Sequence, residues 1–203
     1  MQNMPNSPEC PEWRIPLSDA PIALDITDNV TPSAVLVVIS ADSAPVVVLT
    51  RRAAHLKKHA GQISFPGGRV DDTDASLADT ALREAFEEIG LRPDMVNIVG
   101  YLPDMLTGTG YRITPVVAQS NLSYEQLAVC LAPNPAEVES ILFVPLALVL
   151  NKHNYDSFVR EDNVVSGGVS RAVSWQSWRV AHEEHVIWGA TAAILHHWAN
   201  ALS

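Results

Sequence analysis

Two apolar runs open the patterned part of the chain, SAVLVVIS at 33–40 and APVVVLT at 44–50. Both are rich in β-branched residues, which predicts two buried strands joined by a turn at ADSA. The first polar run after them, RRAAHLKKH, is basic. GQISF at 61–65 predicts a short strand, closed by PGG, a turn in which glycine permits close backbone approach. The period then changes. SLADTALREAFEEI, 76–89, predicts a helix with Ser76 as N-cap, Asp79 in capping-box position, Gly90 just past the end and Pro93 beyond. At roughly 100° per residue its apolar face is Ala78, Leu82, Ala85, Phe86 and Ile89. Further strands are expected at VNIVGYL, YRITPVVAQ, ESILFVPL, RAVSWQSW and HVIW, and a last helix at WGATAAILHHWANAL. SYEQLAVCL reads either way. Residues 1–30, rich in Pro, Asn and Asp, predict an irregular lead-in to a single domain over 31–203. The interleaving of strands and helices predicts an α/β layered domain with a mixed sheet.

Composition narrows the possibilities. With 203 residues, 47% hydrophobic and 18% charged, one globular domain with a sizeable core is expected. A net charge of −10 argues against nucleic acid and against an anionic membrane surface as partners. A small anionic substrate would need local basic residues or a cation. Cys10 and Cys130 are too few for a disulfide framework and suit a reduced cytosol as inert thiols. The first residues lack the pattern of a secretory signal, and no stretch reaches the ~18 apolar residues of a membrane span. A cytoplasmic location is expected.

The 76–89 helix carries more charge than its pattern explains. On a helix, Glu84, Glu87 and Glu88 converge on one strip, centred roughly 150° from the apolar face and turned to solvent or a cleft. Like charges at that spacing cost roughly 0.2–0.5 kcal/mol per pair, and the negative end of the helix disfavours each anion by roughly 0.3–1 kcal/mol. A solvated acidic face is the commoner fate of such a triplet. The alternative is a Mg²⁺ or Mn²⁺ site, because these ions take hard oxygen ligands from carboxylates and substrate phosphates. The neighbouring Gly67–Gly68 turn can add an inward carbonyl. A cation there would relieve the repulsion and bridge to an anionic substrate, and one glutamate could take a proton from an attacking water.

Residues 67–91, GGRVDDTDASLADTALREAFEEIGL, resemble the Nudix box: Gly, five residues, Glu, seven residues, then Arg-Glu-apolar-x-Glu-Glu-x-Gly-apolar. Arg83 to Leu91 match at every specified position. The first half departs: counted back from Arg83, the Glu falls on Ala75 and the Gly on Arg69. One inserted residue restores Gly68 and brings Asp74 to the place of that Glu, whose role in the family is to orient the arginine. Upstream, VLTRRAAHLKKHAGQISFPGG at 48–68 resembles the signature of the coenzyme A diphosphatase branch. Leu49, Thr50, Arg52, Ala53, Gly61, Phe65, Pro66, Gly67 and Gly68 fall in register, and Lys57 replaces an Arg, keeping charge without the planar two-pronged grip. GYRITPVV, NPAEV and IWGATA are similar to the same branch, so the resemblance runs from about residue 33 to 195.

The resemblance implies a Nudix fold, an α/β/α sandwich around a mixed sheet. It implies hydrolysis of the diphosphate bridge of coenzyme A to 3′,5′-ADP and 4′-phosphopantetheine. Glu84 and Glu88 would hold Mg²⁺ or Mn²⁺ with Gly67 beside them, Glu87 would add a ligand or sit with a second ion, and one of the three would be the base. Arg83 would orient the carboxylates. Arg52 and Lys57, with Arg51 or Lys58, would form a positive rim, and Phe65 and Gly68 would line the substrate site. Glu137 is a candidate extra carboxylate, against an ordinary loop acid. His59 is expected to be a hydrogen-bonded structural residue and Trp188 a core residue; His182, His185, His196 and His197 lack the partners of a zinc site. Rival readings are a Nudix enzyme for another diphosphate such as ADP-ribose, a nucleotide-binding domain without turnover, and a structural acidic protein. The upstream motif speaks against the first, the intact glutamates against the second, and the Gly-Gly turn with its basic run against the third.

Overall fold

The unbroken apolar runs become the middle of a sheet. In the computed structural model, which describes residues 17–22, 30–166 and 169–202, β1 (Thr31–Ile39) runs parallel to β7 (Tyr111–Ser120), in register from Thr31↔Tyr111 to Ile39↔Gln119. β2 (Val46–Arg52) pairs antiparallel with β1, and both β3 (Ile63–Ser64) and β8 (Val138–Pro145) pair antiparallel with β2. On the other side, β5 (Val96–Tyr101) and β6 (Met105–Leu106) pair antiparallel with β7. The sheet is therefore mixed.

Successive β1 side chains point to opposite faces, and each face has its own core. Ala34, Leu36 and Val38 pack under α1 (Leu77–Ile89) and α2 (Tyr124–Cys130), against Ala81, Ala85, Ile89 and Leu127. Val37 and Ile39 meet Ile194, Leu195 and Trp198 of α4 (Gly189–Ala201) on the far side. This is the expected α/β/α sandwich. α3 (Leu146–Val149) follows β8, and β9 (Tyr155–Ser166), β10 (Val169–His182) and β11 (His185–Trp188) form a separate antiparallel sheet leading into α4. Among the described residues no helix is long and apolar enough to cross a membrane.

Several local expectations change. PGG is not a turn: Gly67–Arg69 is a short strand, β4, antiparallel to Ser33–Val35 of β1, with the Pro66 carbonyl accepting from Leu36 N–H at 2.8 Å. The close approach expected of glycine is real, because a Cβ on Gly67, whose φ is 154°, would fall on the β1 backbone. SYEQLAVCL resolves to a helix because Ser123 and Gln126 form a reciprocal capping box. Phe86, expected on the apolar face, is exposed, while Glu88 is buried. The buried arc of α1 is Thr80, Ala81, Ala85, Glu88 and Ile89, so the helix is rotated toward its acidic side. β6 and β9 were not expected; β6 is too short to show a period, and YDSFVREDNVVS is too polar. Most of the expected lead-in, residues 1–16 and 23–29, lies outside the described residues; within it Ser18 bridges to Tyr101.

Candidate active site

The site is organised around α1, whose ends form as expected. Ser76 Oγ accepts from Asp79 N–H, and Gly90 closes the helix at φ 69°. Arg83 then holds the preceding loop to the helix. Its Nε and Nη2 donate to the two oxygens of Asp74 at 2.9 and 3.0 Å, and Nη2 also reaches the Arg69 carbonyl at 3.1 Å. Asp74 further accepts from Thr80 Oγ1 at 2.8 Å and from Asp71 N–H at 2.9 Å. The Arg83 guanidinium holds the Asp74 carboxyl well below the usual carboxylate range, and Asp74 raises Arg83 in return. The displaced aspartate thus fills the orienting position of the longer loop.

The three glutamates are graded rather than equivalent. The Glu87 side chain is 54% exposed, Glu84 17% and Glu88 4%. Arg83 Nη1 donates to Glu84 at 2.8 Å and to Glu87 at 3.4 Å. Glu88 accepts from Gly67 N–H at 3.3 Å and faces Arg52 Nη1 at 3.7 Å. Burial pushes the Glu88 carboxyl up to about 8 against the pull of Arg52, and the charges of Glu84 and Glu137 add to the rise. Burial also raises Glu84, opposed by Arg83. Gly68 is needed for space, since a Cβ there would fall on the Glu84 carboxylate.

A β-bulge between Arg51 and Arg52 sends neighbouring guanidiniums apart. Arg51 pairs with Glu139 at 3.7 Å, while Arg52 turns to Glu88 with its Nε buried and without a hydrogen-bond partner among the described residues. Arg52, Phe65, Gly67 and Gly68 all line a cleft of about 660 Å³ between β1, β7 and the start of α4. Of the two adjacent lysines, Lys58 lines it; Lys57 is exposed and does not. Glu137 is exposed, its carbonyl accepting from Ala53 N–H at 2.9 Å, and its charge reaches both inner glutamates. His59 is hydrogen-bonded as expected, to Gln62 Oε1 at 2.8 Å, yet exposed in the cleft; Trp188 is half-buried beside it rather than in the core. Sequence reasoning missed Arg69 and Tyr111. Arg69 directly follows the glycines, donates to the Tyr111 hydroxyl and lies 5.2 Å from its ring centroid, and both line the cleft.

The donor set suits a hard divalent cation. It offers carboxylate oxygens, with the Gly67 backbone beside them, and on Glu84 and Glu88 burial and neighbouring like charges disfavour ionisation without a counter-charge. Glu84, Glu87 and Glu88 would hold the ion. In the arrangement described they answer instead to Arg83, Gly67 and Arg52, and among the described residues no group of three or more His, Cys, Asp or Glu side chains shares one centre.

A helix carrying graded carboxylates, the innermost touching Arg52 and Gly67 on the wall of a basic cleft, suits a hydrolase for phosphorylated small molecules. A family model described as NUDIX domain matches residues 30–161. Proteins described as uncharacterized Nudix hydrolase NudL, from Escherichia coli O1:K1 / APEC and Shigella boydii serotype 18, are each 40% identical over 171 residues, 83% of this chain and 81% of their own. Among solved structures, a Nudix hydrolase from M. Smegmatis, RenU, is 20% identical with a TM-score of 0.47, covering 59% of this chain and 73% of that one. The chain belongs to the Nudix hydrolase family and is a diphosphatase-type hydrolase. Hydrolases of this family generally use divalent metal ions.

Proposed function

We propose that this protein hydrolyses the diphosphate bridge of coenzyme A or its derivatives, releasing 3′,5′-ADP and 4′-phosphopantetheine or its acyl form. The observation that carries this reading is that Arg52, Phe65, Gly67 and Gly68, in register with the upstream signature, line one cleft beside Glu88. Water oxygen bonds to one phosphorus, the P–O–P bridge breaks, and the bridging oxygen leaves on the other phosphate; the two protons of water end on the products or the buffer. A bound Mg²⁺ or Mn²⁺ supplies charge neutralisation at the phosphoryl oxygens and lowers the pKa of water. Glu84, Glu87 and Glu88 hold the charge that retains it, and a carboxylate of this group accepts the proton of water. Arg83 fixes Glu84 and Glu87 from behind, with Asp74 fixing Arg83. Arg52 and Lys58 face the phosphates, with Gly68 leaving room for Glu84.

The test is a panel of diphosphates with Mg²⁺ or Mn²⁺, products identified by mass. Coenzyme A should be the best substrate. Dephospho-coenzyme A, lacking the 3′-phosphate, should be poorer by about ten- to a hundredfold in kcat/KM, the worth of one charge-assisted contact. Arg52→Ala should narrow that gap. ADP-ribose cleaved as well as or better than coenzyme A would replace this substrate with a broader one.

A further inference from the structure

The cleft has a side chamber that the reacting groups do not use. About 240 Å³ in volume, it lies between the Thr107–Thr109 segment after β6 and the start of α4, with Gln176 and Ser177 of β10 on its wall. It joins the main cleft at His59, Gln62 and Ala190, which line both. The two differ in chemistry. Arg52, Lys58 and Arg69 line the main cleft; among the described residues no Lys, Arg, Asp or Glu lines the side chamber. Its surface combines the apolar Met105, Leu106, Trp188 and Ala193 with neutral hydrogen-bonding groups on Gln62 and Gln176.

Charge and size then sort what each can hold. A phosphate moved into the side chamber would lose hydration with no cation to replace it, whereas a chain of amides and methylenes finds both apolar contact and hydrogen-bond partners. Whole-ligand sites run to ~300–1,000 Å³, so the main cleft is large enough for a nucleotide half and the side chamber only for part of a ligand. We propose that the side chamber receives the uncharged arm of the substrate, a linear amide-and-alkyl chain carried on one phosphate, while the nucleotide half stays in the basic cleft. This rests on the coenzyme A reading above and adds to it an orientation: the arm runs from Gly67–Gly68 past Ala190 toward Ala193.

Ala193→Phe, which fills the chamber from α4, tests this with two substrates, coenzyme A and the arm-free diadenosine diphosphate. The ratio of their kcat/KM values should fall about tenfold or more, through KM for coenzyme A. An unchanged ratio in a variant of normal melting temperature overturns the proposal. A second measurement uses the unaltered protein: pantetheine, followed by ligand-observed NMR, should remain bound when 3′,5′-ADP saturates the main cleft, and complete displacement overturns the proposal even where the variant fails to fold. A wild-type protein that does not cleave coenzyme A refutes the proposed function instead, and the pantetheine experiment still decides the chamber.

Discussion

Two carboxylates beside Arg83 and Arg52 leave equally little side chain exposed and titrate in opposite directions. Asp74 and Glu88 each leave 4% of the side chain exposed. Asp74 has both oxygens bonded by one guanidinium, with a hydroxyl and a backbone N–H completing the set. Glu88 has one N–H at 3.3 Å and a guanidinium at 3.7 Å, beyond hydrogen-bonding distance, whose own Nε has no partner among the described residues. The first is held low and the second pushed up to about 8. Glu88 lies deep in the fold, where desolvation dominates its rise, whereas Asp74 sits near the surface and its bonds to Arg83 dominate, so depth and partners together separate the two. A saturated carboxylate is structural. An undersupplied one, next to Glu84 and touching Arg52 and Gly67 of the cleft wall, is the one a cation would relieve.

The largest test of this difference is on turnover. Glu88→Gln or Glu84→Gln keeps the shape and removes the charge, and should lower kcat by about 10²–10⁴-fold in saturating Mg²⁺. Melting of Glu88→Gln should be no lower than wild type in chelator, because the substitution removes the cost of keeping a buried carboxyl protonated that the unfolded chain would ionise. Wild-type rates in both variants would show that the acidic strip is not the site. Asp74→Asn should behave the other way round. It leaves Arg83 short of an ionic partner and should cost about 2–3 kcal/mol by denaturant unfolding. Its effect on kcat should be smaller than that of Glu88→Gln, since Asp74 acts only through Arg83. Equal losses of kcat in the two variants would erase the distinction.

How much of this was legible depends on whether a residue's surroundings are local. The caps of α1 and the replacement of a glutamate by Asp74 are settled within the stretch from 71 to 90, and the sequence displays them. The grading of the glutamates is not local. Which edge of α1 is buried depends on how it settles over Ala34, Leu36 and Val116, so the apolar wheel put Phe86 inward and left Glu88 out. Likewise, the choice of Lys58 over Lys57 depends on the path of the 53–61 loop, and Arg69 meets Tyr111 only because β1, between them, pairs with β4 on one edge and β7 on the other. Side-chain type announced the chemistry; strand pairing across the sheet decided its aim.

The smallest effect per unit of change, and the most direct on the comparison, is in how stability varies with pH. An unfolded glutamate ionises near ~4.3 and an unfolded aspartate near ~3.9. Between ~4.3 and about 8 the folded chain keeps the Glu88 proton that the unfolded chain has released, so this contribution to stability is complete below ~4.3 and is lost as pH rises toward about 8. The loss can reach at most about 1.4 kcal/mol per pH unit for one proton. Asp74 has the opposite sign: its contribution is present above ~3.9 and is lost as pH falls toward its lower folded value. A metal-free protein should therefore soften on both sides of mildly acidic pH, for two separate reasons. Melting curves in chelator from pH 4 to 9 should show the alkaline decline in wild type and Asp74→Asn but not in Glu88→Gln. Saturating Mg²⁺ should flatten it in wild type, because a cation favours the ionised carboxylate and replaces the missing partner. A decline of the same slope in Glu88→Gln would assign the titration to another group and leave Glu88 no different in kind from Asp74.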